Sequence, residues 1–148
     1  TVGDETVWES TSTYLRRGKG SSDAPAGLRL DTAPSNGVRW PLPGDLGRRY
    51  AGVSGDANPI HLHPLTAKPL GFPRHIAHGM WSLARCVAAL ENRLGDAARV
   101  EVAFKKPIFL PGSVAFGSRR TSAGDGYLFS LTSPRDGSPH LVGRTSPA

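Results

Sequence analysis

Only one stretch of this chain keeps a helical apolar rhythm. Met80, Leu83, Ala84, Val87, Leu90 and Leu94 recur at three- and four-residue steps and Gly95 supplies a stop, which predicts a single amphipathic helix. The stretches after it read with a period of two. Val100, Val102 and Phe104 alternate with Glu101, Ala103 and Lys105, Val114 and Phe116 alternate likewise, Tyr127, Phe129 and Leu131 form another set, and a weaker strand runs from His140 to Arg144. One helix followed by three or four strands predicts an α+β domain, with an antiparallel sheet packed on that helix. Glycine (18) and proline (13) make up about a fifth of the 148 residues, which argues for many tight turns and against a long-helix bundle.

The front of the chain is organised differently. Residues 6–15, rich in Thr, Val, Trp and Tyr, read as a strand, and the glycine, serine and charge that follow read as a linker. Asn36-Gly37 marks a turn, Pro41, Pro43 and Gly44 interrupt the chain again, and a short strand is expected over Leu46–Ser54. The division expected is a strand within 1–20, a linker over 21–45 and the main domain over 46–148.

Composition narrows the function classes. The net charge of +6 is spread over separated doublets, Arg16-Arg17, Arg48-Arg49, Lys105-Lys106 and Arg119-Arg120, with no aromatic-basic module beside them, which argues against nucleic acid as a partner. Such doublets also suit the phosphates of a carrier such as coenzyme A, or an acidic carrier protein. No apolar run reaches the roughly 20 residues of a membrane span, and the lone Cys86 cannot form an internal disulfide, so no membrane association and a cytoplasmic location are expected. Neither GxGxxG nor GxxxxGK[ST] occurs, which gives a nucleotide fold no support.

Polar chemistry gathers between Tyr50 and His78, a stretch with four of the five histidines. Pro59 biases Asn58 toward extended backbone and opens a helical turn, so Asp56 and His61 are expected to approach one point across a bend, with a water between them. A carboxylate and an imidazole converging on water form an acid/base pair; the bland reading of the same spacing is a turn-capping Asp beside a packed His. His61, His63, His75 and His78 invite a metal reading, but His-x-His alone is weak and no metal is expected. His75 is expected to face solvent, and His78 to hold backbone where the loop enters the helix.

The full string Tyr50-x-x-Val53-Ser54-Gly55-Asp56-x-Asn58-Pro59-Ile60-His61 resembles the signature of the MaoC-like dehydratases and R-specific enoyl-CoA hydratases. The likeness continues through Ile76-Ala77-His78-Gly79-Met80 and Phe104-Lys105-Lys106-Pro107-x-x-x-Pro111-Gly112, and covers roughly residues 46–146. It implies a hot-dog fold, a curved antiparallel sheet around a central helix, and reversible hydration of trans-2-enoyl thioesters to (R)-3-hydroxyacyl thioesters. By that resemblance Asp56 and His61 hold and activate the catalytic water and Asn58 supports the site. The Gly79 amide at the helix start binds the thioester carbonyl, and neither metal nor other cofactor is implied.

Around these residues, His78, Lys105 and Lys106 are expected to help bind the acyl-CoA or acyl-carrier-protein thioester. The first twenty residues resemble the closing strand of a preceding hot-dog unit, with an N-terminal extension as the other reading. A single unit leaves a sheet edge open, so a homodimer or a second hot-dog half is expected. The competing functional class is a noncatalytic thioester-binding or assembly module of the same fold, against which the intact Asp56, Asn58 and His61 argue.

Overall fold

A computed structural model describes Ser21 and residues 37–148. The strand expected over 6–15 and most of the linker expected over 21–45 lie outside the described residues. Five antiparallel strands form one sheet: β1 (Val38–Leu42), β2 (Ala98–Phe104), β3 (Gly112–Arg120), β4 (Tyr127–Thr132) and β5 (Pro139–Pro147), in the order β1-β3-β4-β5-β2. β1 falls inside the stretch expected to be linker. It pairs with β3 in the register Trp40↔Val114, and Trp40 stacks on Phe116 with ring centroids 4.8 Å apart.

Four helices precede β2: α1 (Leu46–Ser54), the single turns α2 (Pro59–Leu62) and α3 (Pro64–Ala67), and α4 (Gly79–Ala88). α4 carries Cys86 on its buried face, and Leu90 continues the same line just past its end. Both pack with Val114, Phe116, Phe129, Leu131 and Leu141 of the sheet to form the core. Fully burying a Leu or Phe contributes roughly 1.5–3 kcal/mol, so each of these side chains adds on that order to the helix–sheet contact. Its depth also keeps the Cys86 thiol inert: burial pushes its pKa up to about 12.

Two of these expectations need correction. The predicted helix stops at Ala88, and Glu91–Arg93 form a 3₁₀ turn. Apolar steps of three and four suit both kinds of turn, so periodicity alone could not separate them. Leu46–Ser54 is helical: Leu46 and Gly47 are buried while Arg48 and Arg49 are exposed, and Gly55 in the left-handed region (φ 75°) ends the helix. The row Val100, Val102 and Phe104 forms a strand as expected, β2, at the sheet edge, where Val102 packs on the core and Phe104 is 49% exposed.

Candidate active site

The site is assembled on a short strip, His75–Ala77, which is tied down on both sides. Ala77 N–H donates to the Ile108 carbonyl (2.8 Å) and Leu110 N–H to the His75 carbonyl (2.9 Å), while Ile76 N–H donates to the Ile60 carbonyl (3.0 Å). The strip therefore fixes α2 on one side and the 108–110 loop on the other, then leads directly into α4. Gly47 brings α1 onto the same place: a Cβ there would sit 1.8 Å from the His61 carbonyl oxygen, so only glycine permits the approach.

Between α1 and α2 the backbone is bent by its own polar side chains. The Ser54 hydroxyl donates to the Tyr50 carbonyl and accepts from Asp56 N–H, Asp56 Oδ1 accepts from Asn58 N–H (3.2 Å), and Asn58 Oδ1 accepts from Ile60 N–H (3.2 Å). Asn58 is thus the N-cap of α2, with Pro59 in the first helical position, and these links aim Asp56 and His61 across the bend.

His61 is 8% exposed and its Nδ1 lies 2.8 Å from the Ile76 carbonyl. A carbonyl only accepts, so Nδ1 carries a proton, and in the neutral ring Nε2 holds a free lone pair. Burial is the main cause of the lowered pKa of His61; the Ile76 carbonyl raises it, neighbouring His78 lowers it, and Asp56 raises it. The His78 ring lies on the His61 ring with centroids 3.7 Å apart, and Tyr50 packs against it at 4.9 Å. His78 Nε2 donates to the Asp56 backbone carbonyl (2.9 Å) and lies 3.8 Å from Asp56 Oδ2, while its Nδ1 is buried without a partner. The Asp56 side chain is 53% exposed, so this buried imidazole pair carries its carboxylate on the solvent side.

The expected pairing of Asp56 with His61 is therefore present in space, and His78 joins it. Asp56, His61 and His78 each offer a donor atom within 4.8 Å of one another; His63 and His75 lie outside that group. His63 caps α3 by accepting from Leu65 N–H. His75, expected at the surface, is buried, with Nε2 donating to the Gly44 carbonyl (2.7 Å). It needs a neighbour remote in sequence, which no local pattern reveals.

Gly79 opens α4, and no side chain caps that end. Unpaired amides and the positive end of the helix dipole therefore face outward beside the imidazoles. A cavity of about 200 Å³ adjoins it, lined by Gly79, Ser82, Phe104, Lys105, Lys106 and His140 among others. Phe104 sets its width at the helix start, since a Cβ on Gly79 would come 3.2 Å from the Phe104 ring. Arg119 and Arg120, another of the basic doublets, close β3 at the opposite end of the sheet from Lys105 and Lys106, because β2 and β3 run in opposite directions.

Residues 29–126, which contain the whole of this cluster, match the family described as the MaoC like domain. The chain belongs to that family. The 3-hydroxyacyl-thioester dehydratase X of Mycobacterium tuberculosis is 36% identical to this MaoC-like chain over 146 residues, 95% of this chain and 51% of the relative. The crystal structure of HtdX from the same organism superposes with a TM-score of 0.70 at 36% identity, over 82% of this chain and 50% of that one. The (R)-hydratase from A. caviae involved in PHA biosynthesis is 20% identical, with a TM-score of 0.58 over 81% of this chain and all of that one, a likeness of fold. The MaoC-like chain has the hot-dog fold, and it spans about half the length of dehydratase X.

Proposed function

We propose that this MaoC-like unit hydrates trans-2-enoyl thioesters to (R)-3-hydroxyacyl thioesters and catalyses the reverse dehydration. The observation that carries the reading is the state of His61. Its Nδ1–H is committed to the Ile76 carbonyl, which leaves Nε2 as the proton acceptor, and a nitrogen of the ring lies within 4.8 Å of an Asp56 carboxylate oxygen. A water held between the two loses a proton to the pair as its oxygen bonds to C3. The C2–C3 π electrons move toward the thioester carbonyl, and C2 then takes a proton from the pair. Negative charge accumulates on the carbonyl oxygen, where the open α4 amide at Gly79 stabilises it. Dehydration runs the same steps backward, with the proton leaving C2 and returning on the departing hydroxyl.

The acyl group lies in the cavity at Gly79 and Phe104, with Lys105 and Lys106 toward the carrier. A second hot-dog unit, from another copy or a preceding half, completes the site. Two features support it: the partly exposed edge strand β2, and an open apolar groove of about 440 Å³ along α4 formed by Tyr50, Met80, Leu83, Ala84 and Val87.

The test is loss of enoyl absorbance from crotonyl-CoA. Saturable turnover that disappears in Asp56→Asn supports the reading. A folded, thioester-binding protein with no turnover would favour the noncatalytic module.

A further inference from the structure

A second cavity, of about 260 Å³, opens beside the first at the same end of the sheet, and Ile108 and His140 wall both. Three arginines from separate parts of the chain line it: Arg39 on β1, Arg74 just before the His75–Ala77 strip, and Arg135 in the turn between β4 and β5. Ser113 and Ser133 add hydroxyls.

Two of the arginines are held by neutral groups. Arg39 Nε and Nη2 donate to Ser113 Oγ (3.2 and 3.1 Å). Arg74 Nη1 donates to the Pro111 carbonyl (3.4 Å), and its guanidinium lies 5.7 Å from the centre of the Phe109 ring. Among the described residues no carboxylate forms an ion pair with Arg39, Arg74 or Arg135. The nearest carboxylate in sequence, Asp136, accepts from Ser133 and Ser138, contacts that hold its pKa at about 2.

Three like charges around one cavity, offset among the described residues by the Asp136 carboxylate bonded to Ser133, leave a net positive site for an anion. Guanidinium forks suit phosphate oxygens in particular. The volume falls below the roughly 300–1,000 Å³ of a pocket that encloses a whole small molecule, and suits a phosphate head.

We propose that the Arg39–Arg74–Arg135 cavity binds a phosphate group, and that it takes the phosphate end of the thioester's carrier. The source of the phosphate rests on the thioester chemistry proposed above; the anion site does not. A carrier arm leaving the Gly79 cavity past His140 reaches the arginines directly, and its phosphates supply the missing charge.

The experiment measures binding of adenosine 3′,5′-bisphosphate and, separately, pantetheine 4′-phosphate to the full chain by calorimetry at low salt. Wild type is compared with Arg74→Gln/Arg135→Gln and Arg39→Gln, each checked for an unchanged melting curve. Arg119→Gln/Arg120→Gln, at the far end of the sheet, serves as control. The double variant is expected to bind at least about tenfold more weakly and the control unchanged. Arginine-dependent binding of the bisphosphate identifies coenzyme A as the source, and of the pantetheine phosphate alone, the arm of a carrier protein. Absence of binding by both probes, or binding that ignores all three arginines, overturns the site. A wild type that binds in this way yet leaves crotonyl-CoA untouched would remove the hydratase reading and leave the anion site standing.

Discussion

The His78 imidazole lies almost flat on that of His61, with centroids 3.7 Å apart and planes 25° apart. His78 also holds the Asp56 backbone carbonyl through Nε2, so one buried ring touches both halves of the proposed acid/base pair. Protonating His61 would place a charge in a buried site beside a second imidazole, and burial foremost, with His78 adding to it, lowers its pKa.

The sign for activity follows. A base must be neutral to accept a proton, so kcat/KM for an enoyl thioester should fall on the acid side with an apparent pKa below 6.5, the ordinary value for His61. The stability contribution has the same direction: it is present above pH 6.5 and is lost as pH falls through the depressed folded value. A pH–rate profile with its acid limb above 6.5 would contradict this.

His78→Phe keeps an aromatic ring against His61 but strands the Asp56 carbonyl. kcat should drop by about tenfold with a smaller change in KM, and the acid limb should shift because the neighbouring imidazole is gone. A variant with wild-type kcat and an unmoved limb would show that His78 only fills space.

Asp56→Asn and His61→Ala should each cost at least about a hundredfold in kcat while the protein stays folded, and the double variant should be little worse, since both groups act on one water. Single-turnover rates on crotonyl-CoA together with circular dichroism decide it.

Gly79→Ala brings a methyl to 3.2 Å from the half-exposed Phe104 ring, which can yield, so the loss should be a few-fold. Gly79→Val adds two further methyls at the α4 start and should lower both kcat and thioester affinity more severely. Gly79→Val/Phe104→Ala should recover part of the affinity, and equilibrium binding of a nonreactive acyl-CoA measures it.

Gly47→Ala should destabilise the fold by about 1–3 kcal/mol, the usual cost of forcing atoms into a packed site, because its Cβ meets the His61 carbonyl at 1.8 Å. Activity should fall with it, since α1 and α2 must separate. Gly52→Ala, in the same helix with nothing within 4 Å of its Cβ, should leave both intact or slightly raise stability. Thermal melts of the two variants make the comparison.

Lys105→Glu/Lys106→Glu should raise KM for an enoyl-CoA several-fold with kcat little changed, and added salt should mimic it in the wild type, because exposed charges are screened over about 8 Å at physiological ionic strength. A KM indifferent to both would return the pair to the solvated surface.

Local chemistry in the chain determined the elements whose partners are near in sequence. The period-two stretches after Gly112 became β3, β4 and β5, and the Ser54-Gly-Asp-x-Asn-Pro string became a bend closed by its own side chains. That is why Asp56 and His61 were legible together: the bend that joins them is built from residues no more than a few positions apart. His78 was visible as a residue at the helix start, but its stacking on His61 was not, because seventeen positions separate the rings and the His75–Ala77 strip must first be tied to Ile60 and Ile108. The same holds for buried His75, for Leu46–Ser54 as a helix against His61, and for three single arginines meeting in one cavity. Each depends on chain segments brought together by burying the α4 face on the sheet, and a side chain's partner across such a contact leaves no periodic mark on the sequence.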